Sequence, residues 1–241
     1  TKISFKPDYK RLNIDGVAPD MFNLLKKRVF DIAAVTPRKV EVKFNGSMIH
    51  VRNFTDYVNM YIGSNTETKR VFETADDRWE FAACISPYDE FAQISFVNGI
   101  NTMKGGKHVE YILNKIVKGV VDYIKKKKKI VVKPVTVKEQ LMLFVNCSVE
   151  NPSFDSQTKD FMNTPPAKFG STCTVSDKFI EKVAKLGIMD TAISLTEVKS
   201  SKEAKKTDGA KTSSIRGIPK CIDANFAGTA KSHLCTLILC E

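Results

Sequence analysis

The residues able to do chemistry fall into a few clusters. Lys125, Lys126, Lys127, Lys128 and Lys129 are consecutive, and with Lys133 they put six lysines and no acid between residues 125 and 133. Residues 199–220 add six lysines and Arg216 against Glu203 and Asp208. These two segments account for the whole formal net charge of +11, so the rest of the chain is neutral. Charge confined to two short segments points to a polyanionic partner, although solvated lysines without a partner give the same pattern. A second cluster is the polar stretch 151–159, which ends Gln157-Thr158-Lys159. A third is Glu241, just past the end of the apolar run 234–239, and carboxylates at the ends of buried strands are where open α/β sheets place their chemistry. His50, His108 and His233 lie far apart and read as packed or surface residues. The six cysteines form no C-x-x-C pair and no zinc-type spacing, so they read as reduced, packed thiols in an intracellular setting. No P-loop, H-E-x-x-H or G-x-S-x-G motif is present.

The elements that must position these residues can be read from periodicity. Pro19 opens a helical pattern with Met21, Leu24, Leu25, Val29 and Ile32 as its apolar face. Two alternating runs flank Asn45-Gly46, which predicts a hairpin over residues 40–51. Residues 78–86 and 91–98 read as strands. From Lys107 the period becomes 3.6, with Val109, Ile112, Leu113, Ile116, Val117, Val120 and Ile124 on one face, and this helix runs into the lysine run. Residues 141–145 read as a strand buried on both faces. Ser176 suits the N-cap of a helix carrying Phe179, Ile180, Val183 and Leu186, with Gly187 placed to end it. Residues 200–214 read as a linker or frayed helix, and residues 234–239 as a buried strand. The chain has 42% hydrophobic and 27% charged residues, ordinary for a globular protein of one or two domains. No apolar run approaches the roughly eighteen residues of a membrane span. With no leading Met and no apolar leader, the chain reads as lacking a signal peptide and as a piece of something longer.

Four patterns occur in order: Phe96-Val97-Asn98-Gly99-Ile100-Asn101-Thr102 leading to Gly105-Gly106-Lys107-His108; the stretch 151–159; Phe169-Gly170-Ser171-Thr172-Cys173; and Ile218-Pro219-Lys220 ahead of Asp223-Ala224-Asn225-Phe226-Ala227-Gly228. In that order and spacing they resemble the type IIA DNA topoisomerases, on the eukaryotic-type topoisomerase II branch, from about Phe5 to Glu241. The resemblance implies residues 1–61 as the C-terminal part of an ATP-binding module of the GHKL type and 62–192 as a transducer domain. Residues 193–217 become a basic linker or helix, and 218–241 the start of a TOPRIM module. The fold class it implies is α/β, an α+β sandwich: a four-stranded sheet backed by helices, with a left-handed β-α-β crossover where pattern alone predicts a right-handed one.

The resemblance further implies a switch loop at Gln157, Thr158 and Lys159, with Lys159 reaching the γ-phosphate of ATP and Gln157 as a companion contact. A point cation on a flexible stem can report the loss of that phosphate. Lys125 to Lys129 would be a DNA-facing lysine loop, grasping phosphates without reading bases. Glu241 would be the TOPRIM glutamate, a catalytic and Mg²⁺-binding group; Cys240 stands where the family usually has Thr. The implied parent is an ATP-dependent, Mg²⁺-using homodimeric enzyme that passes one DNA duplex through another, with no membrane partner and a nuclear, viral or organellar setting. The fragment alone is expected neither to hydrolyse ATP nor to cut DNA. Two rivals stand beside it: a non-enzymatic DNA-binding domain, and the transducer of another GHKL ATPase of mismatch-repair or chaperone type.

Overall fold

Proline and asparagine start the first two helices. Pro19 sits in the first turn of α1 (Pro19–Val35), where its missing N–H has no partner to lose. The Asn53 side chain accepts the Asp56 N–H at 2.7 Å and caps α2 (Phe54–Ile62). Between them, β1 (Lys43–Phe44) and β2 (Ser47–Met48) form the predicted hairpin, with Asn45 and Gly46 at φ 49° and 81°. Its ladder is shorter than expected, extended only by the Ile49 N–H to the Val42 carbonyl at 3.0 Å. The computed structural model describes residues 1–88, 90–207, 224 and 226–236.

The inward face of α1 differs from the expected one. Met21, Leu24, Leu25 and Ile32 are 41–52% exposed, whereas Asp31, Ala33 and Ala34 are buried and Val29 and Phe30 pack against the core. α1 is apolar around most of its circumference, so periodicity alone does not choose a face. Two adjacent alanines let the helix approach the sheet closely, and Asp31 is drawn inward by hydrogen bonds.

The sheet has five strands where four were expected. β3 (Arg70–Asp76), β4 (Trp79–Ile85), β5 (Ala92–Val97), β6 (Ile100–Asn101) and, after the small β7 (Gly105–Gly106), β8 (Leu141–Cys147) give the order β3-β4-β8-β5-β6. The additional strand is β6, a two-residue edge folded back by the left-handed Asn98-Gly99 turn. β8 lies at the centre, antiparallel to β4 and parallel to β5, and its apolar run from Leu141 to Val145 is fully buried as predicted. A parallel neighbour requires a crossover, and α3 (Lys107–Lys128) and α4 (Pro134–Glu139) provide it.

Alternation along the strands then builds two cores. Ala82, Cys84, Phe96, Met142 and Phe144 face α1 and α2, meeting Phe54, Tyr57 and Val58. Phe81 points the other way and meets Phe179 edge-on at 5.0 Å, under α5 (Asp177–Val183). Gly119 of α3 lets that helix touch Ile180, since a Cβ there would lie 2.8 Å from its Cδ1. Each fully buried Phe contributes roughly 1.5–3 kcal/mol.

Ser176 caps α5 as predicted, accepting the Phe179 N–H at 3.0 Å. Gly187 does not end the helical run. Its φ of 121° breaks the ladder within a wider turn at Ala184–Ile188, after which α6 (Met189–Thr207) resumes. Part of the stretch read as a linker or frayed helix is therefore helical, up to Thr207; residues 208–214 lie outside the described residues.

The chain divides into two compact units, Thr1–Ala192 and Ile193–Glu241. In the second, Leu234 does not begin a buried strand. It is 61% exposed and closes a single turn at Ser232–Leu234, where its N–H bonds the Lys231 carbonyl at 3.0 Å and is spent locally. Residues 237–241, including Glu241, and the Ile218-Pro219-Lys220 pattern lie outside the described residues. Among the described residues no helix is long and apolar enough to cross a membrane.

Candidate functional site

The polar stretch after β8 folds into a narrow hairpin. Asn151 turns the chain with φ 45°, and Phe154 pairs with Met162 of β9 (Phe161–Met162) in an antiparallel bridge. Asp155 N–H bonds the Phe161 carbonyl at 3.2 Å, and Lys159 N–H closes the tip on the Ser156 carbonyl at 3.1 Å. Gln157 and Thr158 are exposed at this tip, while Lys159 is half-buried with a left-handed φ of 59°. Its Nζ lies 5.5 Å from the centre of the Phe154 ring. Thr158 Oγ1 sits 2.8 Å from Ser156 Oγ and donates to Asp160 Oδ2 at 2.9 Å. The three expected switch-loop residues are thus gathered on one solvent-facing turn.

The base of this hairpin is clamped to the start of α3. β9 runs parallel to β7, with Gly105 opposite Phe161 and Gly106 opposite Met162, and Lys104 N–H bonds the Asp160 carbonyl at 2.9 Å. Only glycine serves at Gly106: φ is 145°, and a Cβ would stand 2.5 Å from the Met162 carbonyl oxygen. A second set of ties holds the outer arm. Asn98 and Val149 exchange two hydrogen bonds at 2.8 and 2.9 Å, and Arg78 reaches Glu150 at 3.0 Å and the Gly170 carbonyl at 3.3 Å.

Beneath the clamp, His108 is fully buried one residue into α3, its Nε2 3.2 Å from Thr102 Oγ1. Burial pushes its pKa down to about 3, so it is a neutral packed imidazole, as its isolated position suggested. Cys84, Cys147 and Cys173 are buried free thiols, and burial pushes Cys84 up to about 11 and Cys173 up to about 12. They are packing groups rather than nucleophiles.

At the far end of α3 stands the lysine run. Lys125, Lys126, Lys127 and Lys128 form its last turn, and Lys129 caps it at φ 61° with its N–H on the Lys125 carbonyl at 3.0 Å. The run is therefore a helix terminus rather than a loop, because about five preceding turns are already nucleated and lysine is a good helix former. All five are exposed, and among the described residues none makes an ion pair within 4.0 Å. At 1.5 Å per residue, α3 separates the clamp from this basic end by roughly 30 Å.

Sequence reasoning missed one buried polar cluster. Asp31 is 2% exposed, accepts the Tyr57 hydroxyl at 2.5 Å and binds Lys27 through both oxygens at 2.8 Å. Burial first, and then the bond to Asp31, push the Tyr57 phenol far above its ordinary range. A lone Asp on a helix gives no signal of this. The roles of Phe154 and Asp160 were also missed, although both lie inside or beside the pattern 151–159.

The Lys159 ammonium makes no ion pair within 4.0 Å among the described residues, and the exposed Gln157 and Thr158 adjoin it on the turn. No group of three or more His, Cys, Asp or Glu side chains that could hold a metal ion occurs among the described residues.

Comparison with known proteins gives concordant results. The family model for DNA gyrase B matches residues 53–212. DNA topoisomerase 2 of Drosophila melanogaster is 43% identical across the whole chain, which covers 17% of that protein. Human DNA topoisomerase 2-beta is 39% identical, with 15% of its length covered. Among solved structures, the ATPase and transducer domains of DNA topoisomerase II from Balamuthia mandrillaris superpose with a TM-score of 0.74 at 37% identity, over 81% of this chain and 49% of that one. The ATPase region of Saccharomyces cerevisiae topoisomerase II gives a TM-score of 0.72 at 35% identity, over 80% and 49%. The chain thus spans about one sixth of its curated relatives.

Proposed function

This chain belongs to the DNA gyrase B family, and we propose that it is the transducer-centred part of an ATP-dependent type II DNA topoisomerase. In this reading Lys159 contacts the terminal phosphate of ATP and loses that contact on hydrolysis. Gln157 and Thr158 flank the contact. The β7–β9 clamp passes the loop's position to α3, and Lys125 to Lys129 bear on DNA phosphates at the other end. The observation that carries this is the joining of a solvent-facing loop that bears Lys159, through glycine backbone, to a single helix that ends in five exposed lysines with no ion pair within 4.0 Å among the described residues.

The chemistry asked of each part is modest. A positioned cation that stabilises the charge spread over a transferring phosphoryl group is worth about two powers of ten in rate. The lysine run acts by displacing condensed counterions and is blind to sequence. Mg²⁺ would neutralise phosphate charge in the complete enzyme, and Glu241 would be one of several carboxylates holding it at the DNA-cleavage centre. The enzyme would act as a homodimer on double-stranded DNA, in the nucleus or in a viral or organellar setting.

The test is a pair of variants in the full-length protein. Lys159→Ala should lower ATP hydrolysis about 100-fold with DNA affinity nearly intact. Neutralising residues 125–129 should blunt DNA stimulation of the ATPase while basal turnover persists. Identical behaviour of the two variants would refute the division of labour, and ATP turnover by the present chain alone would refute its assignment as a non-catalytic segment.

A further inference from the structure

The switch loop carries two carboxylates next to its lysine, yet the lysine pairs with neither. Asp155 Oδ1 accepts the Ser156 hydroxyl at 3.2 Å and the Phe161 N–H at 3.3 Å, and Asp160 Oδ2 accepts the Thr158 hydroxyl at 2.9 Å. One oxygen of each acid accepts from the loop's own donors. The ammonium of Lys159 lies instead over the ring of Phe154, 5.5 Å from its centre, and makes no ion pair within 4.0 Å among the described residues.

We propose that Phe154 is a positioning residue that holds the Lys159 ammonium uncommitted to acid, ready for a terminal phosphate, while Thr158 engages the sequence-adjacent carboxylate by bonding Asp160. This rests on the reading of Lys159 as the phosphate-sensing amine. An ammonium paired with Asp160 would be neutralised, and each nucleotide would have to break that pair before the lysine could respond. The ring quadrupole attracts the cation weakly and from one side, so the remaining N–H groups stay open to an anion. Phe154 is suited to this because its backbone is fixed by the bridge to Met162, on the arm of the hairpin opposite Lys159. The ring therefore restrains the amine relative to the clamp on α3, and what the amine feels is passed to the helix rather than lost in side-chain motion.

Two measurements test the proposal. In the present chain, NMR of the Lys159 side chain should show its ε-CH₂ protons shifted upfield by the ring. Phe154→Leu should abolish that shift and Phe154→Trp should keep it. In the full-length enzyme, Phe154→Leu should lower kcat for ATP about three-fold with KM changed less, the size expected of an exposed cation–π contact. Phe154→Trp should restore it. Thr158→Val, which frees Asp160 to capture the amine, should lower kcat further, and Thr158→Ser should recover it. An unshifted Lys159 signal, or a Trp variant as impaired as the Leu variant, overturns the positioning role. Lys159→Ala separates this from the reading beneath it: if that variant hydrolyses ATP normally, the switch assignment fails. If it is inactive while Phe154→Leu keeps full kcat, only the positioning role fails.

Discussion

Gly106→Ala puts the coupling between loop and helix under direct strain. Gly106 has φ 145° and ψ −169°, a region almost closed to L-residues, so the backbone alone costs about 1–3 kcal/mol. The added methyl would lie 2.5 Å from the Met162 carbonyl oxygen and 2.6 Å from its nitrogen. These are backbone atoms of the β7–β9 pair with no flexible end to yield, which adds about 1–3 kcal/mol. The sum, about 2–6 kcal/mol, is a large part of the roughly 5–15 kcal/mol that stabilises a typical domain. Urea unfolding can be followed through Trp79, the single tryptophan, which is buried against Tyr111 and Phe169 and donates to Ser171 Oγ at 2.8 Å. The variant should lose at least about 2 kcal/mol with an unchanged m-value. Gly46→Ala is the control: it has φ 81° and nothing within 4 Å, so it should lose only the backbone share, about 1–2 kcal/mol. A Gly106→Ala loss no greater than the control's would show that β7 and β9 are not locked as described.

Neutralising residues 125–129 should reduce the log–log salt slope of DNA binding by this chain by about 3 if three of them touch phosphates, without changing its melting temperature; an unchanged slope would remove them from the interface. His108 makes stability depend on pH. Its folded pKa is depressed to about 3 against about 6.5 unfolded, so the unfolded chain binds more protons between those values. Stability is therefore complete above about pH 6.5 and falls, at up to about 1.4 kcal/mol per unit, as pH drops through that window. His108→Gln should flatten the slope there, and an unaltered profile would contradict the burial argument. Tyr57→Phe removes one donor from the buried Asp31 carboxylate and should cost about 1–3 kcal/mol in denaturant unfolding, whereas a neutral effect would mean that Lys27 satisfies Asp31 alone.

Local chemistry was legible wherever one residue type has one job. Asn45-Gly46 made its hairpin, Ser176 its cap, and the 3.6-residue period from Val109 to Ile124 its buried face, because each signal is confined to a few neighbours. The face of α1 was not legible. Leu24, Leu25 and Ile32 are as apolar as the residues that were buried, and the choice was made by Ala33 and Ala34 fitting the sheet and by Asp31 meeting Tyr57, 26 positions along the chain. Gly187 illustrates a different limit: a glycine with positive φ can stop a helix or kink it, and the helix-forming residues from Met189 onward make it a kink. At the site, the pattern 151–159 marked the loop, and the family resemblance supplied the role proposed for Lys159. The clamp on Gly106 and the diversion of Asp155 and Asp160 are non-local or competitive hydrogen bonds, which residue types alone do not reveal.

The central claim is that one amine senses a phosphate. The most direct measurement is acylation footprinting of Lys159 in the full-length protein, free, with ADP, and with a non-hydrolysable ATP analogue, using exposed Lys118 as the internal reference. Lys159 should be reactive when free and with ADP, and protected when the terminal phosphate is present. Equal reactivity in all three states, with nucleotide bound, would contradict the claim.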